Sequence, residues 1–272
     1  MAKQRLDVLL VERGFFPTRE KAKTNIMAGL VFINNQRVDK PGALVAMEAS
    51  IRVQGDAIPY VSRGGLKLAK AVEAFQLVLQ DKIVLDIGAS TGGFTDCALQ
   101  NGAQKVYAVD VGYGQLAWKL RQHPQVVNLE RTNIRYLEAD KLGEPADVAT
   151  IDASFISLTL ILPKAVELTK ANGEILALIK PQFEAGKEKV GKKGVVRDPA
   201  VHKEVILKVL NLALTLGLKV KGLNFSPITG PEGNIEYLAY LVKDISGSEA
   251  TLNSLELEMV NTVVTKAHEL LS

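Results

Sequence analysis

Apolar positions recur with a helical period through the first thirty residues. In RLDVLLVERG, Leu6, Leu9 and Leu10 share one face, and Gly14 marks a helix end. Thr18 is placed to N-cap a second helix, REKAKTNIMAG, which closes at Gly29. LVFINNQRV then reads as two short strands around Asn34 and Asn35, residues that tolerate the left-handed conformation of a tight turn. From residue 82 the period changes. KIVLDIG, KVYAVD, VVNLE, DVATID and EILALIK are short apolar or β-branched runs separated by helical stretches such as LTLILPKAVELTK. That alternation predicts α/β architecture, a doubly wound parallel sheet with helices on both faces. Asp198 and Pro199 open a further helix as N-cap and first-turn proline. LKVKGLNFSP and EYLAYLVK follow, separated by about ten residues, too few for a parallel crossover, so the last strand is expected antiparallel. A polar helix from about Ser248 to Leu271 would cover the sheet. The organisation expected is a small α+β domain at 1–61, a linker at 55–62 and a larger α/β domain at 62–272.

Composition and charge narrow the function. A chain of 272 residues with 47% hydrophobic content can bury a full core. No uncharged apolar run reaches the roughly 18 residues of a membrane helix, and MAKQRLD lacks the apolar core of a secretory signal, so a cytoplasmic location without a membrane partner is expected. The single cysteine, Cys97, excludes an internal disulfide. His123, His202 and His268 fall in no zinc-binding spacing, and no metal is expected. The net charge of +3 is localised: residues 1–62 hold 9 Lys/Arg against 6 Asp/Glu, while the remainder balances at 24 against 24. A basic module bearing Lys3, Arg5, Arg19, Lys21 and Lys23 can track phosphates, with a merely solvated surface as the other reading. FINNQRVDKPG resembles the S4-type RNA-binding domain, and that resemblance implies two helices presenting basic side chains to structured RNA.

The larger domain carries the chemistry. A parallel sheet closed by one antiparallel strand resembles the class I (Rossmann-like) methyltransferase fold, which has seven strands. The first βα loop reads Asp86-Ile-Gly88-Ala-Ser90-Thr91-Gly92-Gly93-Phe94-Thr95, a D-x-G-x-x-x-G spacing that differs from the pyrophosphate-seating G-x-G-x-x-G. Backbone freedom at Gly88, Gly92 and Gly93 would let a nucleoside lie close to the chain, and Asp86 could attract the ammonium of a methionine moiety. Asp110 closes the second strand, where a carboxylate can accept both hydroxyls of a ribose. Asn133, after the third, could hydrogen-bond an adenine edge. Each could singly be a cap or turn residue; together, with Ser90, Thr91, Phe94 and Asp152 beside them, they point to S-adenosyl-L-methionine as cofactor, leaving as S-adenosyl-L-homocysteine.

Methyltransferases acting on exocyclic amines often carry Asn- or Asp-Pro-Pro-aromatic after the fourth strand; here that place holds Asp152-Ala-Ser-Phe155. A hydroxyl acceptor is favoured, and it wants a general base. ILALIKPQFE ends a buried strand on Lys180, and a lysine becomes a base when burial or a neighbouring cation favours its amine form. Asp152 ends the fourth strand, Lys180 the fifth, and Glu236 begins the antiparallel one, so all three should meet at the carboxyl edge of the sheet. Lys67, in SRGGLKLAKA, stands on a helix before the first strand.

SRGGLKL is similar to the Ser-Arg-x-x-x-Lys-Leu signature of FtsJ-like ribose methyltransferases, and Lys67, Asp152, Lys180, Glu236 looks like their K-D-K-E tetrad. An S4-type domain joined to such a core resembles the TlyA family of ribosomal RNA 2′-O-methyltransferases, also labelled hemolysins. The resemblance implies methyl transfer to the 2′-hydroxyl of cytidine in ribosomal RNA or ribosomal subunits. Lys180 would activate the hydroxyl, Lys67 would supply the neighbouring positive charge, Asp152 would orient Lys180, and Glu236 would position Lys67 or the ribose. A structural salt-bridge cluster is the other reading of the four. Arg63, with Lys187, Lys189, Lys192 and Lys193 of a glycine-punctuated loop, would add contacts to RNA phosphates. Aromatic residues are only 6% of the chain, which favours shape and phosphate recognition over extensive base stacking. The alternatives are a membrane-active hemolysin, testable by liposome leakage, and a catalytically silent RNA-binding assembly factor; no stable protein partner is evident.

Overall fold

The computed structural model describes residues 3–54, 58–244 and 251–271. It divides into two compact units, Met1–Leu66 and Lys67–Ser272. In the first, β1 (Lys3–Arg5) leads into α1 (Leu6–Glu12) and α2 (Arg19–Met27), followed by β2 (Val31–Ile33), β3 (Gln36–Arg37), β4 (Leu44–Ala46) and β5 (Ile51–Val53). The expected cap is present: Thr18 Oγ1 accepts the Lys21 N–H at 3.3 Å. Asn34 and Asn35 both adopt left-handed φ in the turn between β2 and β3. Leu6, Leu9 and Leu10 of α1 meet Ala22 and Ile26 of α2 and Val31 of β2 in one core. β1 pairs antiparallel with β4, and β5 adds a third strand beside β2. Those three-residue strands escape the sequence pattern because they are too short to display a period of two.

The segment expected as linker is partly outside the described residues, at 55–57. Residues 58–61 are laced to α2 rather than trailing from it. Asn25 Oδ1 accepts the Ile58 N–H, Lys21 Nζ donates to the carbonyls of Ile58 (3.1 Å) and Pro59 (3.0 Å), and Thr24 Oγ1 donates to that of Val61.

The second part alternates as expected: α3 (Gly64–Phe75), β6 (Ile83–Ile87), α4 (Gly93–Gln100), β7 (Lys105–Val109), α5 (Trp118–Arg121), β8 (Val126–Leu129), β9 (Ala146–Ile151), α6 (Leu162–Leu168), β10 (Thr169–Ile179), α7 (Pro181–Glu184), α8 (Pro199–Thr215), β11 (Leu218–Phe225), β12 (Tyr237–Lys243) and α9 (Ser254–Leu271). The expected start of the last helix, Ser248, lies outside the described residues. Seven strands form one sheet in the order β11-β12-β10-β9-β6-β7-β8, with β12 antiparallel to both neighbours and every other pairing parallel. The chain leaves β6 toward β7 and later returns to β6's other side as β9. That reversal opens a crevice beyond the carboxyl ends of the strands. β10 begins earlier than its apolar run suggests, with a register break between Thr169 and Glu174 where Asn172 turns to φ 59°.

Beneath this edge, α8 buries His202 completely. Its Nε2 lies 3.0 Å from the Val196 carbonyl, so Nε2 carries the hydrogen. Nδ1 is therefore the acceptor, facing Tyr237 Oη at 2.7 Å and His268 Nε2 of α9 at 3.0 Å. Burial pushes the imidazole down to about 4, and His268 adds to the effect against the opposing pull of the Val196 bond and Asp198. The native state thus holds His202 neutral while the unfolded chain protonates near 6.5. Stability from this group is complete above the unfolded value and is lost as pH falls toward 4. Chemical denaturation at pH 7 and pH 4.5 should show a loss of up to about 3 kcal/mol from His202. In a His202→Asn variant the pH-dependent part of the loss should shrink by that amount.

Candidate active site

Three of the four tetrad residues stand one step outside the regular strand pairing. Asp152 follows β9, Lys180 follows β10, and Glu236 precedes β12. Because β12 runs antiparallel, with Ile179 opposite Tyr237, its beginning shares an edge with the ends of β9 and β10. Lys67 arrives from α3. The four form an alternating row: Glu236 Oε2 lies 2.7 Å from Lys67 Nζ, Lys67 Nζ lies 3.2 Å from Asp152 Oδ2, and Asp152 Oδ1 lies 2.6 Å from Lys180 Nζ. The Glu236 contact falls outside hydrogen-bond angles and is ionic. Lys180 Nζ also donates to Ser154 Oγ at 3.0 Å and to the Asp152 carbonyl at 3.4 Å.

Lys67, Lys180 and Glu236 are each less than one-tenth exposed. Two ammonium groups and two carboxylates sum to zero charge, which is what makes such burial tolerable. Burial pulls the Lys67 ammonium down, but the charges of Asp152 and Glu236 outweigh it, and the net direction is upward. Lys67 is therefore a fixed cation. Its charge does not reach Lys180 unopposed, as the sequence suggested, because Asp152 lies against both ammonium groups.

Beside the row a cavity of about 580 Å³ opens along the carboxyl edge, within the range of roughly 300–1,000 Å³ that small-molecule sites occupy. Gly88, Ser90, Asp110, Asn133 and Asp152 line it, as the motif reading expected. Asp110 accepts the Ser90 N–H on Oδ2 and the Gly112 N–H on Oδ1, both at 2.7 Å, and these bonds fix its carboxylate. Asn133 Oδ1 accepts the Arg135 N–H, leaving its amide NH₂ as donor. A Cβ at Gly88 would approach the Asp152 carbonyl to 2.9 Å at a left-handed φ, so glycine is required there.

Four expected cofactor residues do not line the cavity. Asp86 is fully enclosed; its carboxylate takes the Thr95 hydroxyl at 2.6 Å and the Thr150 hydroxyl at 3.4 Å, tying β6 to α4 and β9. Burial, helped by the charge of Asp152, pushes that carboxyl up to about 7 against the Thr95 and Thr150 bonds. Thr91 is drawn aside, its carbonyl accepting the Ala117 N–H. A side chain at Gly92 would strike Leu120, so this glycine serves close packing against α5 rather than approach to a ligand. Phe94 is a core residue at 4% exposure. Conversely, Gln115 and Ser154 line the cavity without having been singled out. Both lie in loops, where hydrophobic period carries no signal.

One aromatic side chain, Phe155, lines this cavity. Phe155 is 91% exposed at φ 63°, its ring 5.1 Å from that of Phe183. Tyr113 is exposed, with the Arg131 guanidinium 4.1 Å over its ring. Composition could not reveal that placement. Among the basic residues, Lys3, Lys187, Lys192 and Lys193 are exposed and Lys23 and Arg63 half-buried. Lys189 pairs with Glu204 at 2.5 Å, and Lys21 is spent on carbonyls of its own chain, so neither presents a free ammonium. The basic loop is pinned at its far end, since Asn234 donates to the Gly194 carbonyl and accepts the Val196 N–H. Arg5 and Arg19 converge on Asp7.

A family model for FtsJ-like methyltransferases matches residues 60–243, and one for the S4 domain matches residues 4–51. A proposed rRNA methyltransferase of Bacillus subtilis, YqxC, is 55% identical over 99% of this chain and 95% of its own. The 16S/23S rRNA (cytidine-2′-O)-methyltransferase TlyA of Mycobacterium tuberculosis is 44% identical over 87% of this chain and 89% of its own. A solved structure of a proposed hemolysin from Streptococcus thermophilus is similar at a TM-score of 0.78 and 48% identity, covering 99% of this chain and 97% of that one.

Truncating Glu236 to Ala should strand part of the Lys67 charge and lower stability by about 3 kcal/mol, read from the urea midpoint. Combining it with Lys67→Met should cost less than the sum of the two single changes, the sign of a direct pair.

Proposed function

Because the chain belongs to the FtsJ-like methyltransferase family and carries an S4 domain ahead of that core, we propose that it methylates the 2′-hydroxyl of a cytidine in ribosomal RNA, using S-adenosyl-L-methionine. The observation that carries this reading is the buried, charge-balanced row that ends in Lys180, whose partners Asp152 and Ser154 line a nucleoside-sized cavity. The RNA-modifying names of the relatives and the S4 match support the substrate class.

The cavity residues suit the cofactor. The immobilised Asp110 carboxylate retains lone pairs for the ribose hydroxyls, the Asn133 amide can donate to a ring nitrogen of adenine, and glycine at 88 lets the first loop lie directly against the Asp152 backbone beside them. When bound, S-adenosyl-L-methionine supplies the methyl group on a sulfonium centre. The chain's own part is alignment and proton transfer. Lys180 works from the deprotonated amine, reached when its ammonium proton passes to solvent before the step; it then takes the proton of the 2′-hydroxyl as that oxygen attacks in line and returns to the ammonium form. Asp152 holds Lys180 in place and balances the charge that forms on it, while Lys67 and Glu236 fix Asp152 from behind. Exposed Phe155 offers a face on which the base of the target nucleotide stacks, and the Tyr113–Arg131 pair a second one for a neighbour.

The name hemolysin stays with the Streptococcus relative; among the described residues here, no helix is long and apolar enough to cross a membrane.

Tritiated methyl transfer to ribosomal subunits from a strain lacking the protein tests the reading. Lys180→Ala should lose at least ~10²-fold in rate, the scale of general-base catalysis. Its affinity for S-adenosyl-L-methionine, measured by calorimetry, should stay within a few-fold of wild type. An active Lys180→Ala protein would remove Lys180 from the base role. Phe155→Ala should raise KM for the subunit several-fold with cofactor affinity unchanged.

A further inference from the structure

We propose that Asp7 is a positioning residue for RNA recognition: it ties Arg5 and Arg19 into one fork that accepts a single phosphodiester. This rests on the reading of RNA as substrate. Asp7 lies in the first turn of α1 and its side chain is wholly buried, yet it is a carboxylate in the most basic part of the chain. Both oxygens are used. Arg5 Nε meets Oδ1 at 3.0 Å and Arg5 Nη2 meets Oδ2 at 3.1 Å, a bidentate pairing; Arg19 Nη2 reaches the same Oδ2 at 2.9 Å.

A structural ion pair needs one cation for one carboxylate. Here there are two, and both arginine side chains remain half exposed, at 50% and 51%. The bonds to Arg5, with help from Arg19, hold the Asp7 carboxyl down at about 2 in spite of its burial, so it stays ionised throughout the physiological range. The triad therefore carries one net positive charge, the match for one phosphodiester. Arg5 keeps Nη1, and Arg19 keeps Nε and Nη1, as donors not used by Asp7. Arg5 Nη1 lies close against the backbone of Gly42, where an added Cβ would stand 3.2 Å away, so glycine at 42 leaves the space that this guanidinium occupies.

The physical gain is preorganisation. A free surface arginine loses rotamer freedom when it grips a phosphate, whereas these two have already been ordered by Asp7 on folding. The shared carboxylate also screens the repulsion that would otherwise drive the two guanidinium groups apart.

Charge alone and positioning make opposite predictions for one variant. Asp7→Asn keeps the side chain's shape and adds a positive charge. If Arg5 and Arg19 act only as diffuse charges, affinity for ribosomal subunits should rise. If Asp7 positions them, affinity should fall several-fold, with KM for the subunit rising and kcat at saturation unchanged. Filter binding of the full chain to purified subunits reads the first, and methyl transfer reads the second, with thermal melts reporting whether the variant is folded.

Arg19→Lys covers the case in which Asp7→Asn does not fold. It keeps the charge and removes the planar fork, and should also weaken binding several-fold. Unchanged or tighter binding by folded Asp7→Asn, or by Arg19→Lys, overturns the proposal. The two readings also fail differently. Subunit binding that depends on Asp7 without any methyl transfer by the wild-type chain would count against the proposed chemistry and leave this site standing.

Discussion

The cost of burying charge governs this molecule. An ammonium group at the end of a strand enclosed on both faces would be expelled or neutralised unless paired, and Lys180 and Lys67 stay because Asp152 and Glu236 lie against them. That requirement links four elements far apart in sequence: α3, the ends of β9 and β10, and the start of β12. Only an antiparallel β12 brings Glu236 to the edge where the parallel strands finish. The topology and the charge row are thus one constraint seen from two sides. A parallel last strand would leave Lys67 with one carboxylate and Glu236 at the opposite edge.

The same device recurs on a smaller scale in the first unit. Asp7 is buried and ionised because two arginines hold it, as Asp152 is held by two lysines. In both places a carboxylate with two cations sets the direction of groups that face the solvent or the cavity. Asp86 is the contrast. With no cation paired to it among the described residues, it meets two threonine hydroxyls and its carboxyl is pushed up to about 7. Burial without a cation fastens strands together; burial with cations orients them.

Much of this was legible before any coordinates. The alternation of apolar runs located each strand of the large sheet, the ten-residue spacing fixed the sense of β12, and Asp198-Pro199 marked the start of α8. The tetrad could be placed because each charged residue interrupts or bounds an apolar run, so strand order alone brings three of them to one edge. Other features carry no such signal. Gly92 and Gly88 look alike in the loop, yet one packs against Leu120 and the other lies against Asp152, a difference set by three-dimensional neighbours. Lys21 and Lys23 are equally basic in sequence, but only the fold brings the Ile58 and Pro59 carbonyls to Lys21. A 6% aromatic content gave no hint that Phe155 would stand exposed beside the cavity, or that Tyr113 would be exposed under Arg131.

The central claim is that this row of charges acts on a ribose hydroxyl, and alkaline hydrolysis of labelled RNA addresses it directly. A methyl group on the 2′-oxygen blocks the intramolecular attack by which alkali cuts the chain. Ribosomal RNA methylated by the full chain with a tritiated methyl donor should, after complete alkaline digestion, carry its label in an alkali-resistant dinucleotide with cytidine on the 5′ side. Label released in mononucleotides would place the methyl on a base and contradict the account.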